Sequence, residues 1–292
     1  MLSEVRCVVQ NDAELGEGPV WVAAEGRLYW VDIQGRRLHW LDHASGATGR
    51  FELPARASVA APRRDGGLIL VTEIGLAEFD TTSGRFDLRQ PITFEPGFRT
   101  NDGKLDAAGR LWWSSMDNRG GKRPGAIYRT DPDGQTHKAL EGVHIANAVA
   151  CSADGDTLYL ADSTRRTLWT FPIDADGSLG ERREFATTHG EAGVADGAAM
   201  DADGFLWNAQ WGAWRVVRYA PDGRIDRIVE FPVAQPSSCA FGGPDLTTLY
   251  VTSAWENLDS DARAKQPLAG GLFAFEPGVA GLALPVFEGR IG

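Results

Sequence analysis

The chain has 292 residues, of which 43 % are hydrophobic, and 40 acidic against 29 basic residues give it a formal net charge of −11. A surface of this charge repels nucleic acid and anionic membranes, and no apolar run reaches the roughly 18 residues of a membrane span, so we expect neither as a partner. The first residues show no basic patch followed by an apolar stretch, which predicts a cytoplasmic protein, with a monomer as the default.

The first predicted element is a strand at residues 3–10 (SEVRCVVQ), which precedes a series of repeats and belongs to none of them. A closed ring of repeats can remove its free edge by pairing such a strand with the last unit. We therefore expect residues 3–10 to form the outer strand of the last repeat.

From residue 26 onward one strand-like phrase recurs six times, and its equivalent leucines lie 40 to 48 residues apart. The six copies are GRLYWVDI (26–33), GGLILVTE (66–73), GRLWWSSM (109–116), DTLYLADS (156–163), GFLWNAQW (204–211) and TTLYVTSA (247–254). A second strand follows each copy after a short break, at residues 36–42, 75–80, 125–131, 166–174, 214–223 and 270–277. A third, outer strand can follow, with examples at residues 84–90, 134–140, 180–186 and 223–231.

Strand-rich repeats of about 40 to 48 residues are typical of the blades of a β-propeller. Six copies therefore predict an all-β, six-bladed propeller, and because one repeat runs from end to end we expect residues 1–292 to form a single domain. Two polar loops, at residues 117–124 and 255–269, are longer than a hairpin needs and lie between the first and second predicted strands of their blades. Loops on a rigid scaffold often carry function, so we expect substrate selectivity to depend on these two.

Polar residues precede four of the six phrases at a nearly constant offset of 10 or 11 residues: Glu17, Asn101, Asn147 and Asp196. Taken singly, each such residue is more often a turn former than a ligand. Residues just before the channel-lining strands of a propeller converge at one mouth, however, so four at a matched offset predict one shared site. Two carboxylates with an amide oxygen form a hard donor set suited to a divalent cation.

Five motifs also follow one another along the chain: LGEGPVW (15–21), RTNDGK (99–104), IAN (145–147), ADG (195–197) and PLAGGLF (267–273). In this order and spacing they resemble the SMP-30/gluconolactonase/regucalcin family, and the resemblance covers nearly the whole chain. The resemblance implies a six-bladed propeller that binds one divalent metal at the channel mouth and hydrolyses sugar lactones.

Matching positions imply roles for individual residues. Glu17, Asn147 and Asp196 correspond to the family's metal ligands, and Asp196 is also its candidate general base. Arg99 and Asn101 correspond to its substrate-holding pair, although a structural salt bridge is the alternative role for Arg99. The metal stays open among Ca, Zn, Mn, Mg and Fe(II), because two carboxylates and an amide accept several such ions.

The match departs from the family pattern at two places. The family usually has Asn-Gly where this chain has Asn147 followed by Ala148. An acidic substrate contact of some members falls near Asp117 and Asn118, which makes both residues candidates for substrate binding. Asp102 lies beside a site residue and in a strand would point the other way, so we expect a structural hydrogen-bonding role for it, with support of the site as the alternative.

The leading hypothesis is a metal-dependent lactonase that opens a sugar lactone to the aldonic acid. The metal would polarise the lactone carbonyl, and Asp196 would take the proton from the attacking water. The alternatives are a phosphotriesterase-like metal hydrolase, a non-catalytic calcium-binding propeller and a protein-interaction propeller. Arg99 and Asn101 favour turnover, because a metal buffer has no need of a substrate-holding pair.

Overall fold

The computed structural model describes residues 3–291 and contains, apart from one short helix, only strands as regular structure. Within these residues, 24 strands form six antiparallel sheets of four strands each. The predicted all-β, six-bladed propeller is thereby confirmed. Among the described residues no helix has the length and apolar character needed to cross a membrane.

The N-terminal strand β1 covers Arg6–Val9. The strands of blades 1 and 2 are β2 (Gly16–Val22), β3 (Arg27–Asp32), β4 (Arg37–Asp42), β5 (Thr48–Glu52), β6 (Ala57–Pro62), β7 (Leu68–Thr72), β8 (Gly75–Phe79) and β9 (Phe86–Pro91). Those of blades 3 and 4 are β10 (Phe98–Leu105), β11 (Leu111–Asp117), β12 (Gly125–Thr130), β13 (Thr136–Val143), β14 (Ala146–Cys151), β15 (Thr157–Asp162), β16 (Thr167–Pro172) and β17 (Arg183–Thr187). Blades 5 and 6 add β18 (Val194–Met200), β19 (Leu206–Trp211), β20 (Arg215–Tyr219), β21 (Ile225–Glu230), β22 (Pro236–Gly242), β23 (Thr248–Ser253), helix α1 (Ser260–Ala264) and β24 (Leu272–Phe275).

The innermost strands join the six sheets into a closed ring. Strands β2, β6, β10, β14, β18 and β22 each contact the next one around the ring, and β22 contacts β2 again. Strand β1 pairs antiparallel with β24 and becomes the outermost strand of blade 6. The predicted pairing of the N-terminal strand with the last repeat is therefore confirmed.

The recurrent phrases form the second strand of every blade, so the predicted strand order was wrong by one. The innermost strands precede the phrases and consist largely of small residues, as in ASVAAP of β6 and ANAVAC of β14. Neighbouring blades converge there: a Cβ at Gly197 would lie 2.0 Å from Oγ of Ser238, and one at Gly18 2.8 Å from the backbone oxygen of Ser58. Strands of small residues lack the large alternating side chains by which a sequence reveals a strand.

The corrected strand order also changes the place of the two long loops within their blades. Residues 117–124 and 255–269 lie between the second and third strands of blades 3 and 6, not between the first and second. The second loop contains α1, whose start is capped by the Asp259 side chain, which accepts a hydrogen bond from the backbone N–H of Ala262 at 2.8 Å. The sequence shows no sign of this helix, because five residues are too few to show a helical period.

The core lies between adjacent blades, where the second strands bury their large side chains. The equivalent leucines of the six phrases are all at most 1 % exposed: Leu28, Leu68, Leu111, Leu158, Leu206 and Leu249. Between blades 2 and 3, Trp113 packs in one cluster with Val59 and Val71. Burial of one such large apolar side chain stabilises the fold by about 1.5 to 3 kcal/mol, so the ring forms a rigid frame for its inner strands.

Buried carboxylates follow two of the innermost strands. Asp106, after β10, accepts a hydrogen bond from the Trp112 indole at 2.8 Å. Asp201, after β18, accepts from the Trp207 indole at 2.9 Å and from Nε of Arg218 at 2.8 Å. Both aspartates are 0 % exposed, and an arginine also pairs with each carboxylate. These buried charges are therefore compensated by donors that the fold supplies.

The C-terminal segment, residues 277–291, crosses the end of the channel where the innermost strands finish. The backbone N–H of Phe287 donates to the oxygen of Pro62 at 2.7 Å, and that of Leu282 donates to the oxygen of Met200 at 3.4 Å. A cavity of about 390 Å³ lies between this segment and the strand ends. The segment thus covers one mouth of the channel, and the site described next lies at the other.

Candidate active site

A bulge interrupts every innermost strand near its start. The register with the neighbouring strand shifts between Glu17 and Val20 in β2, and equivalent shifts occur in the five other innermost strands. A β-bulge locally twists a strand and re-aims its side chains. Four of these bulges carry the polar residues that the matched offset singled out: Glu17, Asn101, Asn147 and Asp196.

These four side chains line one cavity at the channel mouth, with a volume of about 260 Å³. Arg99 and Asn118 line the same cavity, so the structure brings together six of the seven predicted site residues. The rest of the wall is partly apolar and includes Met116, Ile145, Val194 and Trp211. A small concave site with a few convergent polar groups is typical of small-molecule binding.

Glu17 and Asp196 place two carboxylates in this cavity, which they share with the Arg99 guanidinium. Glu17 accepts a hydrogen bond from the backbone N–H of Gly18 at 3.1 Å, and neither carboxylate forms an ion pair with Lys or Arg within residues 3–291. Burial, followed by the charge of Asp102, raises the pKa of Glu17 to about 8. Burial, followed by the charge of Glu17, raises the pKa of Asp196 well above its ordinary value.

Two amides lie beside the carboxylates in fixed orientations. Asn101 Nδ2 donates to Oδ1 of Asn147 at 2.9 Å, and Nδ2 of Asn147 donates to Oγ of Ser163 at 2.9 Å. The Ser163 hydroxyl in turn donates to the backbone oxygen of Ala195 at 2.7 Å. These bonds use the amide nitrogen of Asn147 and one lone pair of its oxygen, so the second lone pair of that oxygen is left for a ligand.

Arg99 is only 5 % exposed, and its guanidinium is held by neutral oxygens. Nε donates to Oδ1 of Asn118 at 2.7 Å, while Nη1 donates to Oδ1 of Asn101 at 2.6 Å and to the Thr100 oxygen at 2.8 Å. Burial lowers the pKa of Arg99, and the carboxylate of Glu256 is the charge that most opposes this effect. No structural salt bridge of Arg99 occurs in the described part of the chain, and Nη2 makes no hydrogen bond there, which leaves it for a ligand.

The adjacent candidates Asp117 and Asn118 separate in the structure. Asn118 is exposed at the cavity and accepts from Arg99, whereas Asp117 is fully buried and does not line the cavity. The Asp117 carboxylate accepts from Nε of Arg119 at 3.0 Å and from Nε of Arg123 at 3.3 Å. These arginines hold the pKa of Asp117 below its ordinary range. The geometry therefore supports a substrate contact for Asn118 and a loop-stabilising role for Asp117.

Asp102 points away from the cavity and connects two blades. Its carboxylate accepts from the backbone N–H of Val149 at 2.8 Å and from that of Gly103 at 2.8 Å. The side chain is 8 % exposed, and burial raises its pKa. This geometry matches the expected structural hydrogen-bonding role, while its negative charge acts on Glu17.

The repeat pattern gives no sign of two polar residues that line the cavity. Glu256 and Asn257 reach the cavity from the loop of blade 6 that follows β23. Asn257 has a φ of +63°, which an asparagine tolerates better than most residues. The only sequence signal for them was the unusual length of the loop at residues 255–269, because neither position has an equivalent in the other repeats.

Metal-binding potential depends on the amide as well as the acidic side chains. Within residues 3–291, no group of three or more His, Cys, Asp or Glu side chains is arranged to hold a metal ion. The candidate set contains two carboxylates and one amide oxygen, so it lies outside that count. Such a set leaves coordination positions for water and substrate.

A small concave site with convergent polar groups at the channel mouth of a six-bladed propeller is typical of small-molecule binding. Residues 15–255 match the family model described as the SMP-30/Gluconolactonase/LRE-like region. The chain belongs to this family, which confirms the resemblance found in its motifs.

Similar proteins cover almost the full length of the chain. It is 36 % identical to the 6-deoxy-6-sulfogluconolactonase of Pseudomonas putida, covering 99 % of this chain and 100 % of that protein. It is 38 % identical to the L-arabinolactonase of Azospirillum brasilense, covering 94 % and 92 %. The solved structure of a calcium-binding protein, regucalcin, from Agrobacterium tumefaciens has a TM-score of 0.93 and 34 % identity, covering 98 % and 97 %.

Proposed function

We propose that this protein is a lactonase that hydrolyses a small sugar lactone to the aldonic acid, with a divalent cation held by Glu17, Asn147 and Asp196. The observation that carries the proposal is the convergence of two unpaired carboxylates, oriented amides and one guanidinium on a cavity of about 260 Å³. Two lactonases at 36 % and 38 % identity over nearly the whole chain support the reaction class. One of these two names includes a sulfo group on the sugar and the other does not, so the two relatives do not identify the sugar on which this protein acts.

The donor set fits a divalent cation. Glu17 and Asp196 are two carboxylates in a buried site, and the negative charge of Glu17 contributes to raising the pKa of Asp196. A cation between them would remove that repulsion, because the charged forms would then be stabilised. The Asn147 oxygen is oriented by the bond of its amide nitrogen to Ser163. The calcium-binding description of the Agrobacterium tumefaciens regucalcin supports a cation without identifying the one used here.

The residues of the chain bind the lactone and move one proton. When bound, a divalent cation supplies positive charge that polarises a lactone carbonyl and lowers the pKa of water. Asp196 takes a proton from the water that adds to the carbonyl carbon. The ring C–O bond then breaks, and the ring oxygen receives that proton and becomes a hydroxyl of the open acid. All atoms of the lactone and the water therefore leave in the product.

Other side chains position the sugar for this reaction. Nη2 of Arg99 is available to donate to a ring hydroxyl, and the amide of Asn118, exposed at the mouth, has both donor and acceptor atoms. Trp211 and Ile145 form an apolar wall on which the C–H face of a sugar can pack. This positioning lowers the entropy cost of bringing water and carbonyl together.

The deciding experiment uses protein stripped with a chelator and then loaded with Ca²⁺, Zn²⁺, Mn²⁺, Mg²⁺ or Fe²⁺. Hydrolysis of a panel of pentono- and hexonolactones is followed by acid release with a pH indicator, and cation binding is measured in parallel by calorimetry. We expect no turnover above background in the stripped protein and restored turnover with at least one cation.

Different failures point to different alternatives. Cation binding without turnover of any lactone would favour the non-catalytic calcium-binding propeller. Turnover of a phosphotriester, with none of any lactone, would favour the phosphotriesterase-like hydrolase. Full lactone hydrolysis by the stripped protein would show that the reaction needs no divalent cation, and would overturn that part of the proposal.

A further inference from the structure

One carboxylate at the cavity has no role in the chemistry proposed above. Glu256 belongs to the loop that follows β23 and lines the same cavity as Arg99. Among all charges near the Arg99 guanidinium, that of Glu256 contributes most to raising its pKa. No ion pair joins the two side chains within the described residues, although both line the same cavity.

The Glu256 carboxylate is held in place by the surrounding loops. Its backbone N–H donates to the Glu14 oxygen at 2.9 Å, and its backbone oxygen accepts from Nε2 of Gln235 at 3.1 Å. Oε1 accepts from Nε2 of Gln34 at 2.5 Å, and Gln34 is itself contacted by Arg56 at 3.4 Å. Oε2 makes no hydrogen bond in the described part of the chain. One oxygen is thus fixed by protein, and the other is left for a ligand.

The charges around the cavity balance only for an uncharged ligand. Glu17, Asp196 and Glu256 contribute three negative charges and Arg99 one positive charge, which gives a formal net charge of −2 for the lining. A divalent cation brings this sum to zero. A ligand with an anionic substituent would add a charge beyond this balance, in a lining where three carboxylates face the single cationic side chain of Arg99.

We propose that Glu256 selects uncharged, hydroxyl-bearing sugar lactones and rejects lactones that carry an anionic substituent. Oε2 accepts a hydrogen bond from a sugar hydroxyl, and the same oxygen repels a carboxylate, sulfonate or phosphate. The selection rests on the proposed function and defines the class of its substrate. It also assigns a task to the long loop of blade 6.

The test compares two lactones of one ring size that differ at the terminal carbon, one with a hydroxymethyl group and one with a carboxylate. For the cation-loaded wild-type protein we expect kcat/KM to favour the uncharged lactone by about tenfold or more. Glu256→Gln keeps the size of the side chain and the acceptor for Gln34. It should reduce this preference about tenfold, chiefly through a lower KM for the anionic lactone.

Glu14→Gln is the matched control. Glu14 lies next to the Glu256 backbone but does not line the cavity, so its substitution removes a nearby charge without removing a ligand contact. We expect this variant to retain the wild-type preference. An equal loss of preference in both variants would show that the general field of the mouth, and not the Oε2 contact, is responsible.

Two further results would overturn the proposal in distinguishable ways. A wild-type preference for the anionic lactone, or an unchanged preference in Glu256→Gln, would refute the assignment to Glu256 and leave lactone hydrolysis intact. Absence of turnover with both lactones in the cation-loaded wild type would instead refute the proposed function, and the selection with it.

Discussion

Strand β18 has a buried aspartate at each end, and the fold surrounds the two differently. Asp196, near the start, is 5 % exposed and faces Glu17, with no ion pair in the described residues. Asp201, just past the end, is 0 % exposed and accepts from Trp207 and Arg218. The donors around Asp201 offset the cost of burying its charge, whereas those around Asp196 do not. A buried carboxylate without an ion pair is a candidate for ligand binding, and Asp196 places this candidate at the start of β18.

The largest effect that tests the difference between Asp196 and Asp201 is a loss of turnover on substitution of Asp196. Asp196→Asn should lower kcat about 10³-fold, because an amide cannot accept the proton from water. The same change should make the cation-free protein more stable, since it removes one of two neighbouring buried negative charges. Steady-state kinetics with cation and urea unfolding without it measure both effects. Turnover near the wild-type level would refute the role of Asp196.

Substitution of Asp201, at the opposite end of β18, should change the stability of the protein and not its turnover. Asp201→Asn should lower the free energy of unfolding by about 3 kcal/mol, because it leaves Arg218 partly uncompensated in a buried position. Asp203→Asn is the control, since that side chain is 62 % exposed and its pairing should matter by less than about 1 kcal/mol. Urea unfolding distinguishes the variants, and equal losses in both would contradict the assigned difference.

Cation binding should also distinguish Asp196 from Asp201. A divalent cation at 100 times its Kd stabilises a protein by about 2.7 kcal/mol when it binds only the folded state. Asp201→Asn should retain this increment in full, and Asp196→Asn should lose most of it. Thermal unfolding with and without a chelator provides the measurement. An undiminished increment in Asp196→Asn would place the cation elsewhere.

The cation-free protein should also lose stability as the pH rises. The pKa of Glu17 is raised from 4.5 to about 8, so between these values the folded state holds more protons than the unfolded state. The free energy of unfolding must then fall with increasing pH, by about 1 to 2 kcal/mol once solvent access to half-buried Glu17 is allowed for. Glu17→Gln should flatten this dependence between pH 4.5 and 8. A free energy of unfolding that rises between pH 4.5 and 8 would show that Glu17 has a cationic partner in the folded protein.

The smallest effect concerns the backbone at the site end of β14. Ala148 has a φ of +52°, where glycine is favoured, and its methyl group is fully buried. Ala148→Gly relieves about 1 kcal/mol of backbone strain and loses a similar amount of apolar burial, so stability should change by less than about 1 kcal/mol. Calorimetric melting measures the difference. A larger gain would show that strain as well as uncompensated charge is stored at this end.

The fold was predictable where side chains are large and periodic. The six recurrent phrases revealed the number of blades because their leucines and aromatic residues pack between sheets. The innermost strands were not recognised, since crowding at the channel requires residues as small as Gly197 and Ala198. The matched offset still predicted which four side chains share one cavity, because each bulge occupies the same place in its blade.

Parts of the site depend on loops and escaped prediction for that reason. Asp117 looked equivalent to Asn118, but the loop folds so that Arg119 and Arg123 take up its carboxylate. Glu256 had no counterpart in other repeats, and only the three-dimensional path of its loop brings it to Arg99. The repeat pattern thus identifies site residues on the innermost strands, which every blade positions alike. It does not identify site residues on single loops, such as Glu256.

The pairing of β1 with β24 also orders events during synthesis. Cys7 pairs with Phe273, so β1 finds its partner only after the chain from Cys7 to Phe273 has been synthesised. At about 5 to 20 residues per second, this wait lasts roughly 15 to 60 s. Blade 6 is therefore the last to be completed, and pairings of such long sequence separation form slowly. Until then the nascent ring has an open seam, and chaperone capture or mispairing between chains should be concentrated there.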